Sequence, residues 1–396
     1  MLLVRSRRLP LMLGFLAAIG PLSIDMSLPA FPAIEASFGE PPGTAQITLA
    51  AFFAGLAVGQ LVQGALADRF GRRGPLMAGL LLYTLASAGC ALAPNMATLS
   101  IMRALAAVGG SASMVIPRAI VRDLADGDAA AQLMSKLMLV MGLAPILAPV
   151  GGGMLLRVGP WPLIFWFDLL YGSVCLLIVW RALPETLSAR AARGQLTGLL
   201  PRYVNVLRDR GFVTHALCSG CAMIGLFAFI GGSPPVFIGT YGVSPLVFGV
   251  LFGLCAAGFI VGSQINQPLV RRYGRAAVLR GVLWFYLAST SILAAFAFTG
   301  AGGLVGVVLP VMFALGCLGL IVPNSAVGAL SGHAKQAGLA SALIGMLQFV
   351  MAAVSGSLVG WLTDGTARAM AALMVAGAVC AILLDRLRPD LPGKAR

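Results

Sequence analysis

Charged residues are scarce in this sequence, and acidic residues are fewer than basic ones. Only 10% of the 396 residues are charged, and 13 Asp and Glu stand against 27 Lys and Arg. Hydrophobic residues make up 59% of the chain, far more than a soluble domain of this size needs for its core. The composition therefore excludes an ordinary soluble enzyme or binding protein and indicates a chain whose surroundings are lipid.

The side chains that most often carry metal or covalent chemistry are also few. There are two histidines, His215 and His333, and seven cysteines that all lie inside apolar segments. Cys218 and Cys221 form a CxxC pair, but no second pair follows, so thiols that pack between helices are favoured over a zinc or redox site. The chain has no GxxxxGK[ST] phosphate-binding loop, so no ATP-driven step is encoded in it. We therefore expect no metal and no cofactor.

Long apolar runs, in contrast, are abundant. Windows of about 20 apolar residues mark twelve candidate membrane spans. They cover residues 9–31, 44–67, 75–93, 98–121, 132–157, 161–181, 212–232, 245–269, 276–298, 302–330, 337–361 and 368–386. The first run is long enough to cross a membrane and further spans follow it, so we interpret it as a membrane helix rather than a cleaved signal peptide. The tenth run is long enough to hold a helix and a short turn.

The chain divides into two halves at its one long polar stretch, residues 182–211. A compact charged loop, Gly64–Pro75, separates the second and third spans, and a weaker copy, Leu269–Arg275, separates the eighth and ninth. A repeat at half the chain length indicates two related halves in tandem. We predict an N-terminal six-helix bundle over residues 1–181, a cytoplasmic linker over 182–211 with an amphipathic helix at Leu199–Leu207, and a C-terminal six-helix bundle over residues 212–396.

The basic residues are distributed unevenly across the predicted topology. If the N-terminus is cytoplasmic, Arg157 and Arg368 lie outside, Arg103 lies within the membrane, and the other 24 of the 27 Lys and Arg lie on or near the cytoplasmic side. This asymmetry predicts that both termini are cytoplasmic. It also accounts for the net charge of +14 without nucleic acid or another anionic partner.

Three charged residues fall well inside predicted spans at a similar depth, roughly 7–10 Å below the outer boundary. They are Asp25, Arg103 and Asp168. A buried ionisable group is costly and is by default a functional hypothesis. Asp25 in a water-filled cavity, with Arg103 tuning its pKa, would make a proton-binding site. The alternative is a static buried pair that fixes helix packing. For Asp168 we favour a structural or cavity-edge role over a direct role in transport.

The Gly64–Pro75 loop has a composition that membrane topology alone does not require. Basic residues are expected in any cytoplasmic loop, but Asp68 and Gly71 are not. Asp68 ends the second span and would pair with Arg72 or with a basic group of the other half, while Gly71 permits a tight turn. The functional interpretation is a closing latch on the cytoplasmic face, formed by Gly64, Asp68, Arg69, Gly71, Arg72 and Arg73. The alternative is an ordinary basic loop.

A smaller set of uncharged polar residues also falls within spans. Gln60 and Gln348 would line a cavity or bond to a neighbouring helix, and we favour the second interpretation. Phe, Met and Leu dominate the other candidates for a cavity lining, and such an apolar cavity would suit bulky, partly lipophilic solutes. Prolines concentrate in the first, fifth and tenth spans, where they predict bends.

These motifs resemble those of a known transporter family. The Gly64–Pro75 loop matches G-x-L-A-D-R-x-G-R-R/K, the signature loop of the major facilitator superfamily, at every defined position. Residues Ile24–Pro32 resemble the helix 1 signature of drug:proton antiporters, specifically the Bcr/CflA group of bicyclomycin and chloramphenicol resistance. Residues Leu143–Gly153 resemble the helix 5 antiporter motif, G-x-x-x-G-P-x-x-G-G.

The sequence departs from these family patterns at several positions. Ala144 and Ala148 replace glycines of the helix 5 motif. The helix 4 motif, R-x-x-Q-G-x-G, retains Arg103 but has Ala106 in place of its glutamine, which removes a polar partner for the arginine. In the second-half copy of the loop Arg271 stands where Asp68 does, so only the first latch is complete.

The resemblance implies an all-α polytopic membrane protein with twelve helices in two pseudo-symmetric six-helix bundles. It implies a monomer in the bacterial inner membrane that exports drug-like substrates, of chloramphenicol or bicyclomycin type, by alternating access, with the proton gradient as energy source. In that interpretation Asp25 and Arg103 couple transport to protons, and the Gly64–Pro75 loop gates the cytoplasmic face. Residues of the helix 5 motif form a hinge, namely Pro145, Pro149, Gly152 and Gly153.

Two other classes of function stay open. One is an exporter of an endogenous metabolite, such as a sugar, amino acid or short peptide, or a proton-coupled importer; the helix 5 prolines favour export. The other is a membrane-embedded enzyme or sensor. An intramembrane enzyme needs paired catalytic groups in facing spans, and both histidines lie near predicted cytoplasmic ends instead.

Overall fold

The computed structural model describes residues 8–125, 127–187, 199–333 and 336–388. Its α-helices are α1 Arg8–Ala17, α2 Ile19–Asp25, α3 Phe31–Phe38, α4 Gln46–Phe70, α5 Arg73–Ala91, α6 Met96–Leu124, α7 Gly127–Val158, α8 Pro162–Ala182, α9 Leu199–Arg208, α10 Arg210–Pro234, α11 Pro245–Tyr273, α12 Arg275–Thr299, α13 Gly303–Leu330, α14 Ala337–Leu362 and α15 Arg368–Arg386. A π-helical turn, Pro235–Thr240, extends α10. All regular secondary structure in the described chain is therefore helical, as the apolar runs predict.

Twelve helical segments of the described chain are long and apolar enough to cross a membrane, which confirms the predicted number and order of spans. The first span continues to Phe38 rather than ending at residue 31. Pro32 does not stop it, since proline in the first turn of a helix lacks only an N–H that has no helical partner. The tenth span is one continuous helix, α13, and not a helix followed by a turn.

The first span is broken twice near its prolines, as the sequence predicts. Pro21 has no N–H for the carbonyl of Ala17, where α1 ends, and Pro29 has none for the carbonyl of Asp25, where α2 ends. A 3-10 turn, Leu28–Ala30, then leads into α3. The break places Asp25 at the end of a short helix in the middle of a membrane span.

The chain forms two compact units. One consists of Met1–Thr197 together with Pro234–Gly253, and the other consists of Gly198–Ser233 with Leu254–Arg396. In the first unit glycines let helices approach closely: a Cβ atom at Gly79 of α5 would lie 2.7 Å from the carbonyl oxygen of Gly109 on α6. The bundle boundaries drawn at the linker stay a prediction.

The linker contains the expected amphipathic helix. Helix α9 spans Leu199–Arg208, and Val206 on its apolar face is buried in a cluster with Phe212, Ala216 and Leu343 of the second unit. All seven cysteines are free, in agreement with the thiol interpretation. Four of them are buried, Cys221 and Cys317 are half-buried, and Cys380 is exposed on α15.

The internal repeat is visible in the backbone of the two charged loops. Gly71 has φ +90° and ψ 171°, and Gly274 has φ +78° and ψ 153°, a region that side-chain-bearing residues rarely adopt. The preceding residues match as well. The Arg69 guanidinium lies 5.1 Å from the ring centre of Phe70, and that of Arg272 lies 5.3 Å from the ring centre of Tyr273.

Candidate functional site

Asp25 is a buried carboxyl group in the first span. Its residue surface is 4% exposed, and it makes no hydrogen bond or ion pair with any residue that the structure describes. Its neighbour Met26 is covered by Gly152 of α7, where an added Cβ would collide with the Met26 carbonyl oxygen. The carboxyl group therefore lies at a tight junction between the first span and α7.

Arg103 holds the turn that carries Asp25 but does not pair with Asp25 itself. Its Nη1 donates to the backbone oxygen of Ser23 at 2.7 Å, and its Nη2 donates to Oγ of Ser27 at 3.3 Å. The guanidinium also lies 4.4 Å from the ring centre of Phe52 on α4. Arg103 is 1% exposed, so these contacts replace water around a fully buried charge. Asp25 and Arg103 therefore lie close together, but Arg103 contacts Ser23 and Ser27, on either side of Asp25 in the chain, rather than the carboxyl group.

Asp168 is the acidic residue that interacts electrostatically with Arg103. It is 2% exposed on α8, and its Oδ1 has no hydrogen-bond partner among the described residues. Tyr83 on α5 lies beside it and shares a 2.6 Å hydrogen bond with Oγ of Ser23. Asp168, Arg103, Tyr83 and Ser23 form a buried polar cluster that joins four spans. Among the described residues the charge of Asp168 acts on Arg103 without an ion pair within 4.0 Å, and Asp25 lies beside this cluster.

The Gly64–Pro75 loop is held by two acidic residues from elsewhere in the first unit. Arg72 forms the predicted ion pair with Asp68, which is i,i+4 on the chain. It also donates from Nε to Oδ2 of Asp123 at 2.7 Å and from Nη2 to Oδ1 at 3.3 Å. Asp123 lies in the last turn of α6. The hypothesis that Asp68 pairs with Arg72 is confirmed, and Asp123 is an added partner.

Glu185, just after α8, caps the start of α5. Its carboxylate accepts from the backbone N–H of Arg72 at 2.8 Å and of Arg73 at 3.1 Å. Gly71 must be glycine here for two reasons, because its φ is positive and a Cβ would lie 2.7 Å from Cδ of Glu185. The side chain of Arg73 adds a third link, since its Nη2 donates to the backbone oxygen of Trp180 at 2.6 Å.

These contacts shift two pKa values in opposite directions. Burial alone would lower the pKa of Arg72, but the hydrogen bonds that it donates to Asp123 and Asp68, and the negative charges of these residues, raise it above its ordinary value. Partial burial would raise the pKa of Glu185, but four backbone N–H groups hold the carboxylate and lower it. Both residues therefore keep their charges near neutral pH, and the loop is fixed by charge-assisted hydrogen bonds.

The remaining latch residues contribute less to this arrangement. Arg69 stacks on Phe70, and both side chains are exposed. At Gly64 an added Cβ would meet only Val115, at an ordinary contact distance of 3.9 Å. The network therefore centres on Arg72 and Gly71 rather than on the whole motif.

The helix 5 motif lies on one uninterrupted helix, α7, in which Pro145 and Pro149 are both internal. Two of its glycines make close contacts within the first unit. Gly152 lies against Met26, and a Cβ at Gly153 would lie 2.6 Å from the carbonyl oxygen of Pro245. The glycines of the motif therefore allow neighbouring backbone to pack closely against α7 beside Asp25. A hinge at these residues stays a prediction.

The two glutamines have different environments. Gln60 on α4 is buried and makes no hydrogen bond with a described residue, whereas Nε2 of Gln348 donates to Oγ of Ser219 at 3.0 Å. The second contact joins α14 to α10, the helix-bonding role favoured from the sequence. Among the described residues no group of three or more His, Cys, Asp or Glu side chains could hold a metal ion.

Sequence reasoning missed three acidic residues that accept hydrogen bonds important for the local structure. Asp123 and Glu185 hold Arg72, and Glu35 is buried, accepting from the backbone N–H of Gly43 at 2.8 Å and Ala45 at 2.9 Å. A signal existed for the first two. Only 13 acidic residues occur in the chain, and these two follow directly after predicted spans on the same side as the Arg72 loop.

Twelve membrane-length helices with charged side chains buried among them are the architecture of a multi-pass membrane transporter. The sequence matches the Major Facilitator Superfamily over residues 13–356, and the chain belongs to that family.

Relatives extend over nearly the whole chain. The sequence is 35% identical over 377 residues to the "Uncharacterized MFS-type transporter YdgK" of Bacillus subtilis, covering 94% of this chain and 92% of the relative. It is 29% identical to a "Bicyclomycin resistance protein homolog" of Haemophilus influenzae, with 94% of each chain covered. It is also 29% identical to a "Chloramphenicol resistance protein" of Pseudomonas aeruginosa, covering 86% and 81%. These names confirm the resemblance to the bicyclomycin and chloramphenicol resistance group.

Solved structures show the same fold. The xylose transporter XylE from E. coli, in a partially occluded inward open conformation, aligns with a TM-score of 0.74 at 15% identity, covering 98% of this chain and all of the other. At this identity the similarity shows the fold alone.

Proposed function

We propose that this transporter exports drug-like small molecules across the bacterial inner membrane in exchange for protons. The observation that carries the proposal is Asp25, a buried carboxyl group at a break in a membrane span that pairs with none of the described side chains. An ionised carboxylate is expensive in an apolar interior unless it is paired. Proton binding at Asp25 therefore depends on whether water reaches it, which is the property that alternating access changes.

The buried polar cluster positions this carboxyl group. Arg103 holds Ser23 and Ser27, the residues two positions before and after Asp25, and Asp168 balances the charge of Arg103. A change in the protonation or hydration of Asp25 is thereby transmitted to four spans. In this mechanism Asp25 carries the proton, Arg103 orients it and Asp168 is a positioning residue.

The charged loop serves as the cytoplasmic latch. Arg72 is fixed by Asp68 and Asp123, and Glu185 fixes the backbone beside it. Opening and closing of the cytoplasmic face would make and break contacts of the exposed Asp68 while the inner part of the network stays intact. The contacts of Gly152 and Gly153 on α7 would close the outer face of the transporter instead.

The substrate class rests on two supports. Relatives that cover most of the chain carry names that state bicyclomycin or chloramphenicol resistance. The polar side chains within spans are few, which suits partly lipophilic solutes. The proton gradient is the proposed energy source, and we expect no metal or other cofactor, a monomer, and both termini in the cytoplasm.

The test is drug accumulation in pump-deficient cells that express the chain. The panel contains chloramphenicol, bicyclomycin, a sulfonamide and a lipophilic cation, each with and without a protonophore. Reduced accumulation that the protonophore restores is the expected result. No change across the panel, with the protein shown to be in the membrane, would contradict drug export and favour an endogenous metabolite such as a sugar, amino acid or short peptide.

A further inference from the structure

A polar cavity of about 400 Å³ lies between one end of α12 and one end of α15 in the second unit. It is lined by Arg280, Leu283, Trp284, Ile382, Asp385, Arg386 and Arg388. Three guanidinium groups and one carboxylate leave this cavity with a net charge of +2. It is separate from Asp25 and from the latch, both of which belong to the first unit.

The carboxylate is already committed to two of the three arginines. Asp385 has a side chain that is 5% exposed, and its Oδ1 lies 3.1 Å from Nη1 of Arg388. Its Oδ2 lies 3.8 Å from Nε of Arg280, whose side chain is 68% exposed. Arg386 makes no ion pair with a described residue, and its guanidinium lies 5.8 Å from the ring centre of Trp284. The exposed side of the cavity therefore presents positive charge that no carboxylate of the described residues pairs with at Arg386.

The surface around the cavity is apolar. Trp284 and Phe285 on α12 are exposed, as are Leu383 and Leu387 on α15. In a membrane protein such exposed side chains face acyl chains, and tryptophan beside arginine is typical of the headgroup level. Arg280 is five residues from the start of α12, or roughly 7–8 Å along the helix. Positive charge next to an apolar helix surface at this depth is complementary to a lipid that has an anionic headgroup and apolar acyl chains.

We propose that this cavity binds the headgroup of an anionic phospholipid. The phosphodiester would accept hydrogen bonds from Arg280 and Arg386, and an acyl chain would lie along Phe285 and Leu383. A guanidinium donates two parallel N–H groups to phosphate oxygens. In a zwitterionic lipid the positive charge of the headgroup shields the phosphate and weakens this attraction. The site therefore prefers phosphatidylglycerol to phosphatidylcholine.

Trp284 supplies the measurement, because bromine atoms on a lipid quench a tryptophan that they contact. The full-length protein is placed in vesicles that contain brominated phosphatidylglycerol or brominated phosphatidylcholine. The Trp284 signal is the difference between the wild type and Trp284→Phe. We expect the relative binding constant at Trp284 to favour phosphatidylglycerol by roughly fivefold or more. The Arg280→Gln/Arg386→Gln variant should lower that ratio to near one.

Controls separate this site from general attraction to the membrane. Arg208→Gln removes one exposed positive charge on α9 and should leave the ratio unchanged. Arg386→Gln alone leaves both ion pairs of Asp385 in place, so it tests the site if the double variant does not fold. Equal quenching by the two lipids in the wild type would overturn the proposal. Loss of the preference on adding inorganic phosphate, at matched ionic strength, would also overturn it and indicate a soluble anion instead.

Discussion

Arg72 and Asp123 form a two-point ion pair between the loop after α4 and the last turn of α6. Nε and Nη2 of the arginine donate to the two carboxylate oxygens at 2.7 and 3.3 Å. The Arg72 side chain is 8% exposed and that of Asp123 is 18% exposed, whereas Asp68, the second partner, is 70% exposed. The inner pair is therefore expected to contribute more than the outer one to holding the Gly64–Pro75 loop.

Asp123→Asn should lower the stability of the folded protein more than Asp68→Asn does. Charge-assisted hydrogen bonds at a largely buried site contribute about 1.5–3 kcal/mol, whereas an exposed ion pair contributes about 0–1 kcal/mol. Thermal unfolding of the purified variants measures the difference.

In transport assays Asp68→Asn should lower the maximal rate far more than it changes the half-saturation concentration. A pure loss of affinity would contradict the latch.

Gly71→Ala should be more harmful than Gly274→Ala. Both glycines have positive φ, so each substitution incurs backbone strain of roughly 1–3 kcal/mol. A Cβ at Gly71 also meets the Glu185 carboxylate, whereas a Cβ at Gly274 has nothing within 4 Å. Melting temperatures of the two variants separate strain from collision. Equal losses would show that Glu185 yields without cost.

Glu185 should make the protein sensitive to acid. Its pKa is lowered in the folded protein from an ordinary value of 4.5, so its stabilisation is fully present above about pH 4.5 and is lost as the pH falls through the folded value. Melting temperatures measured from pH 7 down to about pH 3.5 should therefore decline less steeply in Glu185→Gln than in the wild type. The variant should already be less stable at pH 7. Parallel curves would rule out this residue as a source of the decline.

Asp25→Asn and Asp168→Asn should fail in different ways. Asp25 has no partner to lose among the described side chains, so Asp25→Asn should insert and melt like the wild type but release no protons when substrate binds. Asp168→Asn removes the buried carboxyl group whose charge acts on Arg103, which should lower the melting temperature. Proton release in detergent, followed with a pH indicator, checks the first variant. Wild-type release from Asp25→Asn would end the coupling hypothesis.

Gly152→Ala should impair export while Gly151→Ala is tolerated. A Cβ at Gly152 collides with the Met26 backbone and lies 3.0 Å from Cγ of Pro29. At Gly151 the nearest atom is the flexible end of the Met26 side chain, at 3.1 Å. The pair compares two alanines on neighbouring positions of one helix, read out as drug accumulation at equal protein levels. Equal activity of both variants would show that the first span moves aside freely.

Sequence reasoning found the spans and the Asp68–Arg72 pair because both depend on local order along the chain. It placed Asp25, Arg103 and Asp168 at one depth, but depth is only one coordinate. Which side chains meet also depends on how each helix is rotated and which helices are neighbours, and no apolar run records that. Arg103 therefore donates to the serines beside Asp25 and not to Asp25 itself. Asp123 and Glu185 were missed for the same reason, since they reach Arg72 from 51 and 113 residues away.

The two glycine turns have a consequence for how the halves of this chain came to differ. Gly71 and Gly274 bend the backbone alike, and an arginine is stacked on a ring before each of them. Yet the position of Asp68 in one loop is that of Arg271 in the other. The duplicated shape therefore does not dictate charge. One copy can keep a neutralised arginine at its centre while the other displays a run of positive side chains, without any change in the path of the main chain.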